Sequence, residues 1–244
     1  MKDGLKVQDE AIHSFLMIGQ SNMAGRGEFA DVPVIRNKDC YMLRMGRWQF
    51  MEEPVNPDRD IFCGLYHSGT SLASTFADEF AKELKLKAGL IPCADGGTSL
   101  SQWMPGEILY DHAVMMTKLA MRTSVFSGIL WHQGEADCNS DETLYSYKER
   151  FITMITAMRR ELGAENLPLL IGELSETIAP EHNIVERAKI LNTIFRDIAN
   201  TLPYCAVVSS KGLEMKGDGI HFNAKSLCVF GDRYFKAYKK ICGI

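Results

Sequence analysis

Short, continuous apolar runs alternate with longer amphipathic ones along this chain. Residues 14–19 (SFLMIG), 87–94 (KAGLIPCA), 126–133 (FSGILWHQ), 168–174 (PLLIGEL) and 204–210 (YCAVVSS) are apolar almost throughout. A strand with one wet face alternates apolar and polar residues, whereas an unbroken run suits a parallel sheet covered on both faces. Five buried strands are therefore predicted. Between them lie helical stretches at 70–86, 108–122, 141–162, 181–202 and 223–241. The first opens on Thr70 or Ser71 as a cap. In the third, Leu144, Tyr147, Phe151, Met154, Ile155 and Met158 recur at helical spacing, with Ser140 or Asp141 as the N-cap. The βαβ rhythm predicts an α/β fold with a doubly wound parallel sheet and right-handed crossovers.

Residues 26–70 break the rhythm. The segment holds Pro33, Pro54 and Pro57 and reads as an irregular excursion with one short strand near CYML (40–43). An ordered loop of that length is usually functional. No repeat, low-complexity tract or interdomain linker interrupts the chain, so 1–244 is expected to be a single domain.

Composition narrows the function classes. The 244 residues are 46% hydrophobic and 24% charged, with a formal net charge of −4. That is an ordinary globular balance, and without a basic run there is no footprint for a nucleic-acid partner. Lys236, Lys239 and Lys240 read as the wet face of the last helix. Seven cysteines (Cys40, Cys63, Cys93, Cys138, Cys205, Cys228 and Cys242) are widely spaced without a CxxC pair. Several lie in apolar runs, where free cysteine behaves as a small hydrophobe. A reducing, cytoplasmic setting is expected. The first 14 residues lack the apolar stretch of a signal peptide, although a mature secreted form stays open. No window approaches the roughly 18 apolar residues of a membrane span, so no membrane association is expected. The oligomeric state is not legible.

Candidate chemistry follows from what comes after each strand, because ligands of open parallel sheets bind beyond the carboxyl ends. The first strand is followed by GQSNMAGRG (19–27), the second by ADGGTSLSQW (94–103) and the third by HQGEADC (132–138). GDGIHFN (217–223) follows the last. Ser21, at the first turn, reads either as a helix cap or as a nucleophile, and the second role needs a base beside it. His221 can be that base, with Asp218 three residues earlier fixing its tautomer; the alternative is an Asx turn beside a surface histidine. Gly96 and Gly97 permit close backbone approach, and Gln133 can aim an amide N–H inward, as an oxyanion requires. A plain tight turn explains the glycine pair equally well. Trp131 reads as core packing. Trp103, after a polar loop, is expected to line the site and stack on a sugar ring. A metal centre could draw on His132, Glu135, Asp137, Cys138, Asp218 and His221, but no HExxH or clustered His/Cys spacing supports one.

Taken together, GQSNMAGRG, GGTSLSQW, WHQGEAD and GDGIHFN resemble the SGNH hydrolase superfamily. More narrowly, they resemble its branch of sialate O-acetylesterase-like and carbohydrate esterase family six acetylxylan esterases. The motifs span residues 15–223 in the family's order. The resemblance implies a three-layer α/β/α sandwich with a central five-stranded parallel sheet. It implies Ser21 as nucleophile, His221 as base, Asp218 as its partner, and oxyanion donors from the Ser21 and Gly97 backbones and the Gln133 side chain. Gln20, Asn22, Glu135 and Trp103 are further candidates, and Glu135 competes with Asp218 as the carboxylate orienting His221. No cofactor is implied. The expected substrate is an acetylated carbohydrate such as acetylxylan, a sialic acid or a related glycan, with Arg26, Arg44, Arg47 and Arg59 in the segment that would shape the choice. Rival readings are a catalytically silent carbohydrate-binding protein on the same fold, and an esterase or thioesterase for another acyl ester.

Overall fold

The computed structural model of the protein describes residues 11–57 and 67–244. Among these, seven strands form one sheet: β1 (Ile12–Gly19), β2 (Cys40–Arg44), β3 (Arg47–Phe50), β4 (Lys87–Pro92), β5 (Ser124–His132), β6 (Leu169–Gly172) and β7 (Cys205–Val208). Their spatial order is β3-β2-β4-β1-β5-β6-β7, and every neighbouring pair is parallel except β2–β3. The five strands predicted from apolar runs are all present. The sheet has seven rather than five because the 26–70 excursion contributes two more at one edge.

β2 is the strand read near Cys40; β3 was not expected. Its sequence, RWQF, leaves Arg47, Gln49 and Phe50 exposed, so no apolar run marks it. It is formed by a turn instead. Met45 and Gly46 both have positive φ, 53° and 74°, the pattern of a two-residue hairpin, and Arg44 pairs with Arg47 across it.

The sheet is covered on both faces, which explains the continuous apolar runs. On one face, helices α2 (Leu72–Leu84) and α7 (Ala224–Cys242) meet Phe15 and Met17 of β1; on the other, α3 (Ile108–Met121), α5 (Tyr147–Leu162) and α6 (Val185–Thr201) meet Leu16 and Ile18. Phe15 makes edge contacts with Phe76 and Phe80 at centroid distances of 4.8 and 5.0 Å. Its complete burial is worth about 1.5–3 kcal/mol. Ser71 caps α2, its side chain accepting from the Ala73 N–H. The helix predicted over 141–162 is broken into α4 (Asp141–Tyr145) and α5 at Ser146. There the hydroxyl donates back to the Glu142 carbonyl at 2.7 Å, a local bond that competes with helix continuation. Short α1 (Ser21–Ala24) completes the set. No helix among the described residues is long and apolar enough to cross a membrane.

Chain order reverses at β1, which has β4 on one side and β5 on the other. The loops leaving these strands therefore diverge, opening a crevice at their carboxyl ends.

Candidate functional site

The crevice begins where β1 stops. Gly19 has φ +128°, and a Cβ built there would fall 2.1 Å from the His132 carbonyl oxygen of β5. That approach lets the Gln20 N–H donate to the same oxygen at 2.9 Å. Only glycine tolerates both conditions. Gln20 is the N-cap residue of α1 without a side-chain cap bond, so Ser21 is the first helical residue and not its cap. The Gln20 side chain accepts from the Gly134 and Ala136 N–H groups, tying α1 to the HQGEAD loop.

Ser21 is 7% exposed, and its Oγ lies 2.8 Å from His221 Nε2. His221 Nδ1 lies 2.9 Å from Asp218 Oδ2. GDGIH sits at the tip of a tight loop closed by a β-bridge between Met215 and Phe222. Gly219 allows the tip with φ +69°. Asp218 Oδ1 also accepts from the Ile220 and His221 backbone N–H groups, at 3.1 and 3.0 Å. Burial pushes the Asp218 carboxyl up, but these backbone bonds and the imidazole outweigh it and hold it below its ordinary value. Asp218 is therefore an acceptor, and His221 presents Nδ1–H to it and a lone pair to Ser21. Such a chain is able to move a proton from a serine hydroxyl onto an imidazole.

Glu135 does not touch His221. Its Oε1 accepts from Asn22 Nδ2 at 2.7 Å, and Asn22 in turn brackets the histidine, donating to the Ile220 carbonyl at 3.2 Å and accepting from the Phe222 N–H at 3.0 Å. Asn22 and Glu135 are 1% and 4% exposed, so they lie beneath the site rather than in reach of a substrate. Glu135 Oε2 has no hydrogen-bond partner among the described residues.

Gly97 is exposed, with φ +75°. Neither its N–H nor that of Ser21 meets an acceptor among the described residues. Gly96 lies against the serine: a Cβ there would be 3.6 Å from Ser21 Cβ and 2.6 Å from Arg26 Nη2. Arg26 thus reaches the rim. Arg44 is committed to the Pro54 carbonyl at 2.7 Å, Arg47 is on the β3 edge, and Arg59 lies outside the described residues, as does Cys63.

Two expectations are corrected here. Gln133 does not offer an N–H to the crevice, because Nε2 already donates to the Thr98 carbonyl at 3.0 Å and to Asp137 Oδ2 at 2.7 Å. Trp103 cannot stack on a sugar: it is fully buried, donates Nε1–H to Thr98 Oγ1 at 3.1 Å, and packs edge-on against Trp131. The polar loop before it folds over the indole, and the hydroxyl of that loop takes the one polar atom.

His132 faces the core, with Nε2 on the Glu173 carbonyl at 3.2 Å, and burial keeps it neutral against the nearby Glu135 charge. Among the described residues, no three His, Cys, Asp or Glu side chains gather as a metal site. The six described cysteines are free, and burial pushes the Cys93 and Cys138 thiols well up, away from thiolate chemistry. Sequence reasoning missed His182, whose Nε2 lies 2.8 Å from the Asp218 carbonyl. That contact spans 36 residues between two loops and leaves no local signature.

Comparison with known proteins bears on the fold and the family. A probable carbohydrate esterase of Arabidopsis thaliana is 28% identical over 245 residues, covering 92% of this chain and 89% of the plant protein. The X-ray structure of that plant protein aligns with a TM-score of 0.82 at 24% identity, over 94% of this chain and 98% of the other. NanS aligns with a TM-score of 0.77 at 16% identity, over 97% and 99%. At these identities the two structures speak for the fold. The family assignment rests on a family model of carbohydrate esterases described as sialic acid-specific acetylesterases, which matches residues 11–240. Matched over nearly its whole length, this chain belongs to that carbohydrate esterase family.

Proposed function

We propose that this protein is a serine esterase that removes O-acetyl groups from a carbohydrate through an acetyl-serine intermediate. The observation that carries the reading is the Asp218–His221–Ser21 chain, with links of 2.9 and 2.8 Å, together with the Ser21 and Gly97 N–H groups, which meet no acceptor among the described residues. As the Ser21 Oγ attacks the acetyl carbonyl carbon, its proton passes to His221 Nε2, and Asp218 stabilises the imidazolium. The carbonyl oxygen becomes an oxyanion, stabilised by the Ser21 and Gly97 N–H groups. Collapse breaks the bond to the sugar oxygen, which takes the proton from His221. Water then adds to the acetyl-enzyme with His221 again as base, releasing acetate and restoring Ser21. No step requires a cofactor. Acetylated sialic acids, acetylxylan and related glycans are the substrates to compare first, since Arg26 stands against Gly96 beside the serine.

The test is hydrolysis of an aryl acetate by wild type, Ser21→Ala and His221→Ala, with fluorophosphonate labelling of Ser21. Both variants are expected to lose turnover, and a screen for acetate release from acetylated glycans then ranks substrates. Turnover that survives in either variant contradicts the assignment. An unlabelled Ser21 with retained glycan binding would point to a binding protein.

A further inference from the structure

We propose that Gln133 and Asp137 are positioning residues that hold the Gly97 N–H where an oxyanion forms; this inference rests on the esterase reading above. Gln133 stands at the end of β5, where an amide could have reached the crevice directly. It faces the other way. Its two N–H groups go to the Thr98 carbonyl and to Asp137, and its Oε1 accepts from the Tyr147 hydroxyl at 2.9 Å. Exchanging the amide oxygen and nitrogen would set Oε1 against two acceptors, so chemistry fixes the orientation.

Asp137 completes the arrangement. It is fully buried, and Oδ2 accepts from the Leu100 N–H at 2.7 Å as well as from Gln133. Oδ1 accepts from Arg150 Nη2 at 2.8 Å. Donors from three separate segments thus converge on one carboxylate: the glycine loop, the end of β5, and α5. Only an acceptor-only group satisfies all three, which explains an acid where neither substrate nor solvent reaches.

The loop is consequently tied at Thr98 O and Leu100 N, one and three residues beyond Gly97. On the near side the Asp95 N–H donates to the Gly19 carbonyl at 2.9 Å, and Thr98 Oγ1 closes back onto the Asp95 carbonyl at 2.7 Å. Gly97 itself makes no backbone hydrogen bond among the described residues, and a Cβ there would meet no atom within 4 Å. Its place is set by the anchors on either side. An oxyanion donor works when it already lies about 2.7–3.1 Å from the forming charge, so a loose loop would forfeit its contribution without affecting substrate contact.

Asp137→Asn and Gln133→Met test this with an aryl acetate, phenylboronic acid as a tetrahedral probe of Ser21, and a pH–rate profile. Each variant is expected to lose kcat by about 10- to 100-fold with KM within about threefold, as for a displaced catalytic group. The boronic acid inhibition constant should rise by the same factor, while the pH at which activity is half lost on the acid side stays in place. The double variant should be little worse than the poorer single one, since both act through one loop. A kcat within twofold of wild type overturns the inference. So does a kcat loss with unchanged boronic acid affinity, or one accompanied by a shifted acid limb. Asp137→Asn sets a donor against a donor; if it does not fold, Gln133→Met, which leaves Asp137 its Leu100 and Arg150 donors, decides the matter. Wild type without turnover would refute the esterase reading and this inference together, whereas an active wild type with unaffected variants refutes the inference alone.

Discussion

Replacing Asn22 with alanine should unlatch the histidine loop from the serine helix. Three hydrogen bonds are lost: to the Glu135 carboxylate at 2.7 Å, to the Ile220 carbonyl at 3.2 Å and from the Phe222 N–H at 3.0 Å. The bond to a charged partner is worth about 1.5–3 kcal/mol and the neutral ones about 0.5–1.5 each. The loss is aggravated because Glu135 is left in a 4% exposed position without a donor among the described residues. A destabilisation of about 3 kcal/mol is expected in urea unfolding. The alanine also frees the residues on both sides of His221, and a displacement of the order of 1 Å costs about 100-fold in kcat/KM. Glu135→Ala removes the other half of the same latch. A double-mutant cycle should therefore show coupling of at least about 1 kcal/mol, in stability and in aryl acetate turnover alike. Strict additivity, or an Asn22→Ala enzyme within threefold of wild type, would refute the reasoning.

Other consequences are equally concrete. Asp218→Asn should cut kcat by about 100- to 1000-fold with little change in KM, less than for a fully buried carboxylate because the side chain is 42% exposed and water compensates in part. A raised KM with intact kcat would contradict this. Because Asp218 is held below its ordinary value, its stabilising effect is present above the ordinary carboxylate range and is lost as pH falls through the lowered value. The asparagine variant should lack that part of the acid-unfolding profile. Gly19→Ala, with its Cβ 2.1 Å from the His132 oxygen and φ at +128°, should lose about 3 kcal/mol or more; a thermal midpoint within 2–3 °C of wild type would count against it. Burial pushes the Glu53 carboxyl up to about 7, against bonds from Ser74, Ser71 and Val55. A raised acid is stabilising in its protonated form, so that contribution is full below the unfolded value and falls by about 1.4 kcal/mol per pH unit between about 4.5 and 7. Relative to Glu53→Gln, the wild-type urea midpoint should drop over that window, and a constant difference would be a contrary result.

The sequence alone determined the elements whose signal is local. The five parallel strands were legible because a strand covered on both faces is apolar without interruption, and the main helices because their buried faces repeat at helical spacing. Ser21, Asp218 and His221 were legible as candidates because each lies in a glycine-punctuated turn beyond a strand end. Tertiary structure decided what pattern could not carry. β3 exists through a turn and an edge pairing rather than an apolar run. The choice between Asp218 and Glu135 as the partner of His221 depended on which carboxylate faces the imidazole, and the answer placed Glu135 behind Asn22. Gln133 and Trp103 were assigned to the crevice because they follow strand ends or polar loops, yet their polar atoms are taken by Thr98 and Asp137 in the interior. A polar side chain in sequence states only what it is able to bond. Which partner it meets is set by the folded chain, which brings Gln133 to Thr98 across 35 residues and His221 to Ser21 across 200.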